Sequence, residues 1–283
     1  MRKEVCVKSA ALAEPRAASV DDRLAVTGLT WRQFPSRTAT FCLVELQKLR
    51  HDRTELFTRA VQPVLWLVIF GETMSRIHAF PTGHLPYLDF LAPGIIAQSG
   101  LFVAIFYGIQ IIWERDAGVL TKLLVTPTPR SALIFGKSFA AGVRALAQVV
   151  VVMVLSAALG VSLTSNPIKI LAAFVIVMLG AAFFSCLSMT VAGAVLKRDR
   201  LMGIGQMITM PLFFASNALY PVSIMPGWLR VLSKVNPLSY EVDALRGLLI
   251  GSPAHFGEDF LVLVVAVVVG VTAAASLIRR LAR

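Results

Sequence analysis

Between residues 170 and 196 the chain carries no charged side chain, and Lys169 and Lys197 bracket the run. A soluble core of ordinary size does not enclose such a stretch, whereas roughly 20 apolar residues suffice to cross the hydrocarbon of a bilayer. Five more runs approach that length, giving expected spans at about 60–77, 87–112, 145–163, 170–196, 201–222 and 260–278. Composition agrees: 57% of residues are hydrophobic, 15% are charged, and the mean hydropathy is +0.74. The expected fold class is therefore an all-α integral membrane protein with six transmembrane helices. In the first span Glu72 and Arg76 sit four residues apart, the spacing that pairs side chains on one helix face.

Lys and Arg favour the cytoplasmic side of a membrane. With the N-terminus inside, 22 of the 27 basic residues fall in inner segments, and only Arg76, Lys169, Arg230, Lys234 and Arg246 fall outside. Both termini are thus expected in the cytoplasm and the chain in the cell inner (plasma) membrane. The formal charge of +11 reports that topology and contact with anionic lipid. Membrane lipid is the implied partner, and no basic and aromatic face stands clear for nucleic acid. The polar first 59 residues show no cleavable signal, so the first span serves as the insertion signal. Cys6, Cys42 and Cys186 have no partner in an oxidising compartment and read as reduced thiols.

Residues 1–35 lack periodicity and read as a mobile cytoplasmic tail; residues 36–283 form the membrane domain. Within it, Phe41, Val44, Leu46, Leu49, Leu56 and Phe57 recur among charges at helical spacing, the pattern of an amphipathic helix lying in the inner interface. Gly100, Ala104 and Gly108, and Ala182, Cys186, Thr190 and Ala194, make two stripes of small residues suited to close helix contact.

Chemistry-bearing patterns are few. The four histidines are scattered, without a zinc-binding His-Glu-x-x-His pair, and no Gly-x-Ser-x-Gly elbow is present. Gly136-Lys137-Ser138 resembles the end of a phosphate loop, but the position of its first glycine is Ser131. No metal or cofactor is expected on this chain. Polar residues at span centres are neutral: Gln98, Ser99, Gln148, Gln206 and Asn217. Ion-driven carriers keep ionisable groups there, so energy for pumping is expected from outside the chain.

Two segments interrupt the apolar pattern. Residues 113–137 are charged and marked by Gly118, Pro127 and Pro129. Their Glu114-Arg115-Asp116-Ala117-Gly118-Val119-Leu120-Thr121-Lys122-Leu123-Leu124-Val125-Thr126-Pro127 resembles the cytoplasmic E-R-E-x-G-T-L-x-x-L-x-x-T-P element of ATP-binding-cassette type 2 permeases. The second is Pro226-Gly227-Trp228-Leu229, Asn236-Pro237-Leu238-Ser239-Tyr240 and Asp243-Ala244-Leu245-Arg246, which resembles that family's L-P-x-W-L, N-P-L-x-Y and A-L-R pattern after the fifth span. The resemblance covers about 36–280 and is closest to daunorubicin-resistance exporter subunits; Asp116, Val119, Glu72 and Arg76 depart from it.

The resemblance implies a permease subunit of an ATP-driven exporter that moves a hydrophobic or amphipathic substrate outward. Its partners would be a second permease subunit, with a homodimer expected, and separate cassette ATPase subunits that bind ATP and Mg. Glu114, Arg115, Gly118, Leu123, Thr126 and Pro127 would form a coupling helix seated in the ATPase. Pro226, Trp228, Asn236, Pro237 and Arg246 would form an outer gate of short re-entrant helices. The alternatives are a polysaccharide or lipid-linked glycan exporter, and a membrane enzyme or accessory scaffold without transport.

Overall fold

A computed structural model describes residues 61–77, 85–118, 130–195 and 198–281, with Leu43, Gln47 and Thr58 besides. The expected tail, the amphipathic helix at 36–57 and the coupling positions Leu123, Thr126 and Pro127 lie outside the described residues.

Among the described residues the protein is helical. A first helix passes through a π-helical stretch (Trp66–Gly71) into α1 (Glu72–Ile77), followed by α2 (Tyr87–Asp116), α3 (Arg130–Ala158), α4 (Pro167–Val195) and α5 (Arg198–Phe214). Two short helices, α6 (Gly227–Val235) and α7 (Pro237–Leu249), precede the long α8 (Phe256–Leu281). The long helices alternate in direction. Tyr87, Pro167 and Phe256 share one end of the bundle with Leu249, whose carbonyl accepts from the Thr164 amide at 2.8 Å. Asp116, Lys137 and Val195 mark the other end.

Among the described residues four helices are long and apolar enough to cross a membrane: Tyr87–Asp116, Leu133–Ala158, Pro167–Val195 and Phe256–Leu277. Three of them overlap the second, fourth and sixth expected spans. The third and fifth need correction. The helix expected over 145–163 runs from Arg130 to Ala158, because Lys137 and Arg144 find partners in the bundle and do not have to end it. The run 201–222 is helical only to Phe214; Pro211 costs its helix a hydrogen bond, and bends follow from Ser216 to Tyr220. The run 60–77 is described as helix from Val61 to Ile77, with the π stretch inside it and the expected Glu72–Arg76 pair formed at 3.1 Å.

Burial separates the helices. α2 is enclosed over most of its length, with Leu91, Ile95, Ile96, Leu101 and Ile112 fully buried. It packs on α3 and α4, and α8 packs on the far side of α4. α8 shows Leu261, Val265, Val268 and Val269 at its surface, a face for lipid or another chain. Gly108 of the α2 stripe lies where helices approach, but it meets Ser185 and Ser188 of α4 and not the expected stripe there, whose Cys186 faces Gly270 of α8 and whose Ala194 is exposed. A side chain at Gly108 would meet the Ser185 carbonyl at 2.7 Å and Ser188 Cβ at 2.6 Å; Ser188 in turn donates to the Ile105 carbonyl at 2.7 Å. Small residues at α2 and α4 thus let two backbones close up where apolar lipid offers no drive to association.

Candidate functional site

Two polar clusters occupy opposite ends of the bundle, with a cavity between them. At the Asp116 end, Glu114 closes α2 and Lys137 lies in α3; Nζ and Oε2 are 2.6 Å apart. The lysine side chain is 6% exposed and the glutamate 19%, so this pair is desolvated well beyond a surface salt bridge. Tyr107, two turns before Glu114, offers its ring to two cations. Lys137 Nζ is 5.8 Å from the ring centroid, and Arg144 Cζ is 4.8 Å from it. Two basic residues are thereby carried into an apolar bundle by one carboxylate and one aromatic face.

Arg115 pairs with Asp116 at 2.9 Å near the helix end. There the Ala117 amide donates to the Trp113 carbonyl and the Gly118 amide to the Arg115 carbonyl, each at 2.9 Å. Gly118 has φ +71°, the left-handed conformation in which glycine stops helices at no steric cost. A β-carbon there would touch nothing within 4 Å among the described residues. The glycine is accounted for by backbone geometry. Of the expected coupling residues, Glu114, Arg115 and Gly118 therefore sit together at the end of α2.

At the Tyr87 end, the expected Asn236-Pro237 step forms the tip of a helical hairpin. Asn236 Oδ1 accepts from the Leu238 amide at 3.1 Å, capping α7, and Pro237 occupies the first turn, where a missing N–H costs least. The Asn236 Nδ2 donates to the Leu212 carbonyl at 2.6 Å, tying the tip to α5.

α6 lies with Trp228, Val231 and Val235 exposed, Trp228 at 67%. α7 buries Leu238, Val242, Leu245 and Leu249. Arg246 holds the hairpin to the bundle: its Nη2 donates to the Phe90 carbonyl at 3.3 Å and the Asn217 carbonyl at 3.0 Å. Its Nη1 reaches Asp243 Oδ1 at 3.4 Å, and its guanidinium lies 3.9 Å from the Phe90 ring centroid. Asn217 closes the circuit by donating from Nδ2 to Asp243 Oδ1 at 2.6 Å.

Of the expected gate residues, Asn236, Pro237 and Arg246 anchor this hairpin, while Pro226 starts α6 and Trp228 lies on its exposed face. The sequence reading gave Phe90, Tyr107 and Arg144 no role, and it named Asn217 only as a neutral span-centre residue and Lys137 only in an incomplete phosphate-loop pattern. The Asp243–Arg246 spacing of three signalled a partner; the other contacts run to backbone carbonyls or between side chains of different helices, and neither kind leaves a local trace in the sequence.

A cavity of about 340 Å³ lies between the first helix, α2 and α3, lined by Gln98, Ser99, Phe102, Phe106 and Gln148 together with Thr58, Gln62, Pro63 and Val103. Among the described residues none that lines it is charged. The amides of Gln98 and Gln148 are buried and have no hydrogen-bond partner among the described residues, although each can give and take several such bonds.

One expectation is overturned within the bundle. Ionisable groups reach the interior from two helices: α3 carries the buried Lys137 and Arg144, and α7 brings in Glu241, which is 0% exposed and would collide with any side chain at Gly180 of α4. Polarity at mid-bundle is therefore not limited to neutral residues. The expectation failed because a helix too short to span brings the carboxyl in from the side.

Helices long and apolar enough to cross a bilayer mark a multi-pass membrane protein. Residues 39–250 match the family of ABC-2 type transporters, and the chain belongs to that family. It is 32% identical over 220 residues to the putative transport permease ycf38 of Porphyra purpurea, covering 76% of this chain and 74% of the relative. It is 23% identical over 230 residues to the daunorubicin resistance ABC transporter permease protein DrrB1 of Streptomyces coeruleorubidus, covering 81% and 80%. With Nodulation protein J of Rhizobium leguminosarum bv. trifolii the identity is 25% over 200 residues, covering 70% and 75%.

Proposed function

We propose that this chain is the membrane subunit of an ATP-driven exporter that moves a hydrophobic or amphipathic molecule out of the cytoplasm. The observation that carries the reading is the cavity beside α2: aromatic and aliphatic walls supply apolar contact, and Gln98 and Gln148 supply neutral hydrogen bonds. Such a site suits a largely uncharged body with a few carbonyl or hydroxyl groups, as the name of the daunorubicin-resistance relative also suggests. ATP hydrolysis belongs to a separate cassette ATPase, in keeping with the family's general organisation, and the complex pairs two copies of this chain. The Asp116 end faces the cytoplasm by the distribution of Lys and Arg. There residues 114–127 couple to the ATPase, and the Glu114–Lys137 pair passes movement of that segment to α3. The α6–α7 hairpin serves as the outer gate.

Daunorubicin is the probe for the test. Inverted vesicles carrying the chain and its co-expressed cassette ATPase are expected to accumulate it only with ATP. Gln98→Ala with Gln148→Ala should lower accumulation while the ATPase still co-purifies, and Gly118→Trp should lower both. Accumulation indifferent to ATP and to all three substitutions would refute the reading. Sidedness is checked separately: a cysteine at Ser252 should react with an impermeant thiol reagent in intact cells, and one at Thr128 should not.

A further inference from the structure

Glu241 is the one glutamate that α7 turns into the bundle. Its side chain is fully buried, and neither carboxyl oxygen has a hydrogen-bond partner among the described residues. The carboxyl lies in a notch on α4. A β-carbon at Gly180 would fall 2.8 Å from Oε1 and closer still to Oε2, and one at Gly100 of α2 would fall 3.9 Å from Oε1. Only glycine at 180 leaves this space.

The depth is fixed by the helices. Gly100 stands 13 residues from the start of α2 and Gly180 13 residues from the start of α4, about 20 Å along each axis at 1.5 Å per residue. Asp89 on α2 and Lys169 on α4 are each 11 residues nearer the Tyr87 end than the glycine that faces Glu241, and Arg144 of α3, beside Ala145, whose Cβ lies 4.0 Å from a β-carbon at Gly100, turns its guanidinium to the Tyr107 ring. Among the described residues Lys234 of α6, Glu258 and Asp259 of α8, and Asp243 and Arg246 of α7 itself do not bond the carboxyl; Arg246 is committed to Phe90, Asn217 and Asp243. An ionised carboxylate with neither counter-ion nor donor is far costlier to bury than the neutral acid, which is why such groups give up their charge.

We propose that Glu241 is a proton-binding site at mid-depth in the bundle, holding its carboxyl as the neutral acid while α7 is seated against α2 and α4. When α7 withdraws and water reaches the notch, the O–H bond breaks, the proton passes to water and the electron pair stays on the carboxylate. Reseating the hairpin requires the proton back. The site thus links the position of the hairpin to proton concentration on the side where the notch opens, and it stands whether or not the chain exports drugs.

The test uses the full chain in lipid nanodiscs at about pH 8, where exposed carboxyls are ionised. Infrared spectroscopy is expected to show a protonated-carboxyl C=O band in the wild type that is lost in Glu241→Gln. It should also be lost or shifted in Gly180→Ala, which pushes the group from its notch. Spectra of wild type and Glu241→Gln that coincide in this region overturn the proposal. Because the Gln variant can fail to fold, the wild type alone is also treated with N,N′-dicyclohexylcarbodiimide, which adds to carboxylic acids in apolar surroundings, and the modified peptide is mapped by mass spectrometry. Modification of Glu241 at that pH is expected, with exposed Glu72 left untouched. Glu241 unmodified there, or modified only at acid pH together with Glu72, overturns it.

Discussion

The two ends of the bundle solve the same problem, charge inside an apolar protein, in different ways. At the Tyr87 end Arg246 spreads its guanidinium over carbonyls from α2 and from the turn after α5, over the Phe90 ring and over Asp243, so one side chain joins three stretches of backbone. At the Asp116 end Lys137 answers a single carboxylate on the neighbouring helix, with Tyr107 beside it. A planar, five-donor guanidinium can satisfy several fixed acceptors at once, whereas an ammonium acts as a point charge. Irregular backbone at 215–221 needs the first device, because its carbonyls have no helical partner. Two regular helices need only the second. The first end is tied through backbone, and the second joins two helices through side chains.

This contrast can be broken by substitution. Arg246→Ala should have the largest effect, a loss on the order of 3 kcal/mol, since it leaves two buried carbonyls without their donor. It is read as a lower melting temperature of the detergent-purified chain, and Arg246→Lys should recover little. An unchanged melting profile would mean that apolar contacts alone seat α7.

Lys137→Ala should cost less, about 1–3 kcal/mol, the penalty for leaving one buried partner without the other. Glu114→Leu combined with Lys137→Met should restore most of that loss. A double variant as unstable as the single one would show that the pair is not what joins α2 to α3.

Gly118→Ala should cost about 1 kcal/mol through its left-handed φ, and Gly118→Asn less, because Asn tolerates that conformation. Equal melting temperatures for all three chains would remove the backbone explanation of this glycine. The smallest stability change is expected at Trp228, whose removal should stay within about 0.5 kcal/mol as for other exposed positions. Any role in gating would then show as altered daunorubicin accumulation at unchanged stability.

Much of the fold was legible because bilayer-crossing helices are written as long runs of one kind of side chain. The charge-free run of α4 gave its bounds to within a few residues. The runs at 145–163 and 201–222 misled for opposite reasons: Lys137 and Arg144 looked like a helix boundary until their partners appeared, and apolar residues past Phe214 looked like helix although the chain bends there. The hairpin was legible too, through Asn236-Pro237, because a cap and a first-turn proline are local chemistry. Its attachment was not, since Arg246 binds backbone atoms 29 and 156 residues away.

The sequence by itself determined the class of protein, its helical make-up, its family, the bounds of α4 to within a few residues and the cap that starts α7. Each of these depends on transfer from water to hydrocarbon or on hydrogen bonds between near neighbours, and both act along the chain. Tertiary structure alone decided which charges are paired, that Gly118 owes its identity to backbone geometry, and that Glu241 reaches the middle of the bundle. Those outcomes follow from which distant groups share a small, poorly screened volume, where one partner more or less outweighs local preference.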